Sequence, residues 1–295
     1  MIKNQVVLRI NKNKKIKQTS NYVLIKIFML FFIMALLVSA TMRTINIIEN
    51  SEFNVDYFNI LLIGKDVYYL NINKNLSQIS VLKFENVDKK ILNFSKDTLG
   101  VYFGIPIDAV VKYSNSNPLN INDFFSFSNL YNLSYFPSKN RIGFSRFDIL
   151  KAFIYCNILN SFEYNIQSYN LKNNNKDTLN QTIYNLFKNN RIINDKVSIE
   201  VINASDVSGA ATKFSQMLKN IGFNVIAVRS SGENSSSKAI IRLDKNNYSA
   251  LVLEKYLDMS FEFRNEISIS DITIIIGNDY ASKIIFPSLN TASNN

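Results

Sequence analysis

The sequence predicts an α/β (α+β) protein in three parts: an N-terminal transmembrane helix, an α/β domain, and a C-terminal βαββαβ two-layer domain. Three observations predict it. A cationic stretch runs directly into an apolar one near the N-terminus. Short apolar runs closed by glycine or turn residues follow between residues 54 and 167. From residue 197 to 276 the apolar pattern switches between periods of 2 and 3.6 in the order strand, helix, strand, strand, helix, strand.

Lys3, Arg9, Lys12, Lys14, Lys15, Lys17 and Lys26 are seven of the 33 basic residues, with no acid among them. Beyond Lys26, 26 basic residues face 23 acidic ones, so the net charge of +10 belongs to a leader and not to a binding face. Residues 1–21 form that leader and residues 22–42 a transmembrane helix or signal anchor. A hydrocarbon core of about 30 Å needs about 20 helical residues, which this run supplies if Lys26 extends toward the headgroups. A cleaved secretory signal is the other reading, with an apolar core over 27–38 and a small-residue site at Val38-Ser39-Ala40. Both readings export the remainder. The basic flank stays cytoplasmic, which predicts a single-pass plasma (inner) membrane protein with extracytoplasmic or periplasmic domains.

Residues 54–167 are read as one α/β domain. Its first strand is Phe58-Asn59-Ile60-Leu61-Leu62-Ile63, closed by Gly64. Residues 79–84 and 90–94 read as a hairpin around Asn86-Val87-Asp88-Lys89, and residues 108–113 as another strand. Phe147, Leu150, Phe153, Ile154 and Ile158 have helical spacing. Residues 168–196 read as an Asn-rich linker with a short helix over 178–189, whose face is Leu179, Ile183, Leu186 and Phe187.

The C-terminal domain spans 197–286. Residues 197–202 alternate as a strand, and Ser205 or Asp206 can cap the helix that follows. Ala210, Phe214, Met217, Leu218 and Ile221 make its apolar stripe before Gly222 stops it. Strands over 224–228 and 239–243 flank a polar loop at 230–237. Tyr248, Leu251, Val252, Tyr256 and Met259 form the second helix face, and residues 272–276 the last strand. This order predicts one sheet with both helices on one side.

Composition excludes several chemistries. With no histidine, Ser-His hydrolases and His-containing zinc sites are ruled out. Cys156 is the sole cysteine, so no intrachain disulfide can form, and within Phe153-Ile154-Tyr155-Cys156 it reads as a small buried hydrophobe. No glycine-rich phosphate loop or metal cluster is visible, and no cofactor is predicted. The strand and helix order is also that of RNA-recognition domains, but the two middle strands carry no aromatic residue. Residues 197–283 hold nine basic and ten acidic side chains, so no nucleic-acid partner is expected.

Four pieces occur in order in the C-terminal part: Asn203-Ala204-Ser205, Gly209-Ala210-Ala211, Gly222-Phe223-Asn224-Val225 and Gly277-Asn278-Asp279-Tyr280. Together they resemble the LytR C-terminal domain of bacterial cell-envelope proteins. Upstream, Asn59-Ile60-Leu61-Leu62-Ile63-Gly64-Lys65-Asp66, Phe94-Ser95-Lys96-Asp97-Thr98 and Gly104-Ile105-Pro106-Ile107-Asp108 resemble a shortened, diverged LytR-CpsA-Psr domain. Members of that family move glycopolymers from a polyprenyl pyrophosphate carrier onto peptidoglycan. The family holds the pyrophosphate with arginines and magnesium with carboxylates, because the leaving group is densely charged. Lys96 stands where the arginine would, and a lysine cannot make the bidentate fork. Arg141, Arg146 and Asp148 are the only candidates for the later charged positions.

Two functions follow from the resemblance. The first is a non-catalytic envelope protein whose C-terminal domain binds peptidoglycan, an envelope polymer or a wall-assembly partner. Its candidate contacts are Asn203, Ser205 and Gly209, where a helix opens and backbone N–H groups could hold an anion, and Asp279 with Tyr280, as a glycan-contacting pair. The alternatives are a simple helix cap and a tyrosine packed across the sheet edge. The second is a glycopolymer transferase in which Lys96 contacts pyrophosphate and Asp66 or Asp97 holds magnesium.

Overall fold

In the computed structural model the described residues are 22–43, 45, 56–88, 90–112, 141–142, 145, 148, 151–152, 154–156, 163–171 and 175–284. Residues 1–54 and 55–295 are two compact units. The first contains helix α1, Tyr22–Arg43, whose mean hydropathy reaches 2.7 and which is long and apolar enough to cross a membrane. Its apolar side chains are open on all sides, with Phe28 70% and Phe31 68% exposed. Lys26 sits 4.7 Å over the Tyr22 ring, within cation–π range.

The second unit opens with β1 (Tyr57–Ile63), β2 (Val67–Asn73) and β3 (Gln78–Glu85), an antiparallel meander. Helix α2 (Lys96–Phe103) follows, then β4 (Ala109–Lys112), β5 (Arg141–Ile142) and β6 (Glu163–Asn170). They form a six-stranded mixed sheet in the order β5-β4-β1-β2-β3-β6. Leu61, Tyr69, Leu82 and Phe84 point to the face covered by α2 and by α3 (Lys176–Phe187) through Leu99, Phe103, Ile183 and Phe187.

The expected hairpin between residues 79–84 and 90–94 is not formed. Residue Asn86 takes a positive φ of 59° and turns the chain out of the sheet, so Ile91–Asn93 is a single 3-10 turn. The partners of β3 are β2, antiparallel, and β6, parallel. The expected helix around residues 147–159 lies largely outside the described residues; those that are described there are helical. Cys156 is buried, and burial pushes its thiol up to about 12, which removes thiolate reactivity near neutral pH.

A short helix α4 (Asn190–Asp195) leads into the second sheet. Its elements are β7 (Ser198–Ala204), α5 (Ala210–Asn220), β8 (Asn224–Ser230), β9 (Lys238–Ile241), α6 (Tyr248–Tyr256), β10 (Ser260–Phe263), β11 (Ile272–Gly277) and α7 (Asn278–Ile284). The expected βαββαβ order is therefore present with two additions, the edge strand β10 and the closing helix α7. The sheet order is β10-β9-β11-β7-β8, with β8, β7 and β11 mutually parallel.

Register explains the layering. Ile199, Val201, Ile272, Ile274, Ile276, Ala239 and Ile241 share one face, and α5 and α6 bury Phe214, Met217, Leu218, Ala250 and Leu253 against it. On the opposite face Glu200 pairs with Arg229, and Arg242 donates to Thr273 Oγ1 and Glu266. Both helices lie on one side, as a two-layer domain requires.

The two sheets are tied through side chains. Asn220, 2% exposed at the end of α5, donates to the Gly104 carbonyl at 2.8 Å and to Asn180 Oδ1 at 3.1 Å, and accepts from Gln216 at 2.8 Å. Gly104 is itself left-handed (φ 70°) because α2 ends there. Asn220→Ala is expected to cost about 1–3 kcal/mol, since the buried Gly104 carbonyl and the half-buried Asn180 and Gln216 amides lose their partner together. Urea unfolding of residues 55–295 would register it as a lower midpoint with an unchanged slope.

Candidate functional site

Three parallel strands, β7, β8 and β11, end on the same edge of the second sheet, so the segments leaving them are neighbours. That edge, outside the carboxyl ends of parallel strands, is where ligands meet open α/β sheets. Residues 205–209 leave β7, residues 231–237 leave β8, and Gly277 passes without a loop into α7.

The loop after β7 is built by its own side chains. Asn203 Oδ1 accepts from the backbone N–H and the hydroxyl of Ser205, at 3.3 and 2.7 Å, while its amide donates to the Val207 carbonyl at 2.9 Å. Ser205 Oγ in turn accepts from Val207 N–H at 3.2 Å. Neither Ser205 nor Asp206 caps the helix, contrary to expectation. The N-cap of α5 is Gly209, at φ 75°, where a side chain would be strained.

Asp206 faces the other two segments. Its carboxylate accepts from Asn278 at 2.8 Å and from Asn234 at 3.0 Å, and its backbone N–H donates to Asn278 Oδ1 at 2.9 Å. These amides, Asn234 first, hold its carboxyl below the usual carboxylate range. Asp279 accepts from Ser237 Oγ at 2.6 Å and from Ser237 N–H at 3.0 Å, and Ser237 Oγ accepts from Gly277 N–H at 2.8 Å. The Ser237 hydroxyl is the main reason the Asp279 carboxyl is also held low.

Tyr280 points the other way. It is 3% exposed and meets Phe214 edge-to-face at 5.9 Å, so its ring belongs to the core. Asn203, Ser205, Gly209 and Asp279 are therefore brought to one edge, while Tyr280 anchors that edge from beneath. Asp206, Asn234, Ser237 and Asn278 complete the cluster. Sequence reasoning singled out none of them as site residues, although Asn278 lies inside the Gly-Asn-Asp-Tyr piece.

A pH dependence follows from Asp279. Its folded-state carboxyl titrates below the unfolded value of about 3.9, so its bonds to Ser237 stabilise the fold fully above that value and are lost as pH falls through the folded one. The melting temperature of residues 55–295 should drop below about pH 4, and Asp279→Asn should show a shallower drop from a lower starting point.

The upstream candidates have different surroundings. Asp66 lies in the turn between β1 and β2, 3.5 Å from Lys83 Nζ, at a cleft also lined by Lys65 and Glu85. Lys96 and Asp97 open α2, whose cap Ser95 accepts from Thr98 N–H at 3.2 Å. Lys96 acts electrostatically on Asp258, and Asp97 on Lys283, both in the C-terminal part of the same unit. Asp148 is buried and bonded to Ser145 N–H and Oγ at 2.8 and 2.6 Å. Arg141 belongs to β5, and Arg146 lies outside the described residues. Among the described residues no three His, Cys, Asp or Glu side chains converge as metal ligands would.

The cluster at the strand ends is thus a set of amides, hydroxyls and carboxylates fixed by mutual hydrogen bonds. Comparison with curated proteins and with solved structures finds no match. Residues 196–280, from just before β7 to the first turn of α7, match the family described as LytR cell envelope-related transcriptional attenuator. Residues 196–280, which carry most of the cluster, therefore form a LytR C-terminal domain.

Proposed function

We propose that this protein is held in the plasma membrane by α1 and uses its C-terminal domain, on the outer side, to dock peptidoglycan, an envelope polymer or a wall-assembly partner without catalysis. The observation that carries this reading is the LytR C-terminal match together with the hydrogen-bonding edge formed by Asp206, Asn234, Asn278 and Asp279. The cationic leader before α1 supports the orientation, since basic flanks stay cytoplasmic. The separate surroundings of Asp66 and of the Lys96–Asp97 pair support a docking role over a transferase.

Two measurements test it. Alkaline phosphatase fused after residue 295 should be active in cells, which requires export. Full-length protein in nanodiscs should co-sediment with purified sacculi or crosslink to an envelope component, and Asp206→Ala with Asn278→Ala should weaken that retention severalfold. A cytosolic reporter, or no retention by any envelope fraction, would overturn the reading.

A further inference from the structure

Strands β7 and β11 begin, and β9 and β10 end, at the edge of the second sheet opposite the strand-end cluster. The chain enters its second compact unit beside this edge. Asp56 accepts from Arg191 of α4 at 3.2 Å, the Arg191 guanidinium lies 4.0 Å over the ring of Tyr248 at the start of α6, and α4 leads directly into β7. The turn between β2 and β3 is here too, because Lys74 N–H donates to the Asp56 carbonyl at 2.8 Å.

Two segments at this end hold aliphatic side chains out in solvent. Leu76, in the β2–β3 turn, and Ile267 and Ile269, in the loop from β10 to β11, are each more than half exposed, Ile267 completely. That loop is fixed at its base. Asp271 accepts from Ser198 Oγ at 2.7 Å, and Arg242 N–H donates to the Asp271 carbonyl at 2.9 Å. Glu266, just before Ile267, is held at 2.9 Å by the Arg242 guanidinium, and Lys245 Nζ lies 5.1 Å over the half-exposed Phe263 ring.

We propose that this end of the unit rests on the bilayer that α1 spans, with Ile267, Ile269 and Leu76 dipping into the boundary between headgroups and acyl chains. The proposal rests on the reading of α1 as a membrane anchor and adds a second, peripheral contact to it. Only residues 44–55 separate Asp56 from the end of α1, and they cover at most about 45 Å fully extended, so lipid is within chain reach of this end. Separate protruding tips suit lipid better than protein, since a protein interface needs a closely packed continuous patch, whereas interfacial binding grows with the apolar area immersed. The contact is aliphatic and calls on no unpaired charge. The strand-end cluster, at the opposite edge, would then face away from the lipid and toward the wall.

The test uses the full chain in phosphatidylcholine nanodiscs, with a nitrobenzoxadiazole label on Ser268→Cys, between the two isoleucines. Cys156 is buried and its thiol held protonated, so the new cysteine takes the label. Its emission should shift to the blue and lose more than half its intensity when doxyl-labelled lipid is introduced. The same label on Gly232→Cys, in the loop leaving β8 at the opposite edge, should do neither. Adding Ile267→Asp and Ile269→Asp should abolish both signals at position 268 without unfolding the chain, because both side chains already stand in solvent. A label at 268 that reads as water-exposed, one that responds equally in the aspartate variant, or an equal response at 232 would overturn the proposal. A carbonate wash of the same chain in vesicles reports on α1 separately. Retention of the chain with a water-exposed label at 268 sinks the peripheral contact alone, whereas release of the chain sinks the anchor and this contact with it.

Discussion

Replacing Asp108 with alanine is expected to destabilise residues 55–295 by about 3 kcal/mol, because it strands a largely buried lysine. Asp108 is 2% exposed and sits just before β4. One carboxylate oxygen accepts from the Asn59 backbone N–H at 2.7 Å, and the other lies 2.6 Å from Lys255 Nζ, contributed by α6. Lys255 also stands 5.7 Å from the Phe58 ring and 5.1 Å from the Tyr256 ring. Without the carboxylate, an ammonium group and a backbone donor both remain inside the protein with diminished compensation. Removing one member of a buried pair costs about 3–5 kcal/mol, and the lower end applies because the Lys255 side chain keeps 17% of its surface in water. Asp108→Ala combined with Lys255→Met should recover part of the loss, since the second change removes the stranded charge. A single Asp108→Ala variant unfolding at the wild-type urea concentration would rule this account out.

The same region shows what a linear sequence conceals. Asn59 and Asn71 are 3% exposed, and each is satisfied by the other at 2.7 Å, while Asn59 also donates to Tyr256 at 2.9 Å. Read alone, asparagines in Val-Tyr-Tyr-Leu-Asn-Ile-Asn look like solvent-facing residues, so β2 gives no clear strand signal although all seven positions are buried. Strand β6, Glu-Tyr-Asn-Ile-Gln-Ser-Tyr-Asn, is a mostly exposed edge with no apolar alternation, and β10 is only four residues long. By contrast β1, β7, α5 and β11 were legible because each buries a continuous or strictly periodic apolar set.

The strand-end cluster was half legible for a similar reason. The small-residue pieces at 203–205 and 277–280 mark turns that the chain must make, and turn chemistry is local. Their partners are not local: Asp206 meets Asn278 across 72 residues and Asp279 meets Ser237 across 42. A serine in a polar loop carries no sign that it will bind a particular carboxylate. Tyr280 was equally ambiguous, because its apolar ring and polar tip suit either a glycan or a core. Only the depth of the sheet on which it rests decides for the core.

Gly277 gives the second large expectation. A β-carbon added there would overlap the Ser235 carbonyl oxygen and come within 2.8 Å of Asp279 Oδ1 and 2.9 Å of Ser237 N. Two of these three atoms are backbone, so the obstruction cannot be relieved by rotating a flexible side chain. Its φ is not in the left-handed region, which makes close approach, and not conformational freedom, the reason for glycine. Gly277→Ala must push residues 235–237 away, breaking the Gly277–Ser237 and Ser237–Asp279 bonds together. Overpacking and the lost buried hydrogen bonds should together cost about 3 kcal/mol or more. Gly232→Ala is the matched control, since its β-carbon would meet nothing within 4 Å, and it should shift stability by less than about 0.5 kcal/mol. If the strand-end edge is the docking surface, Gly277→Ala should also lose retention on sacculi at temperatures where circular dichroism still reports a folded chain, while Gly232→Ala keeps it. Equal retention by both folded variants would move the docking surface elsewhere on the domain.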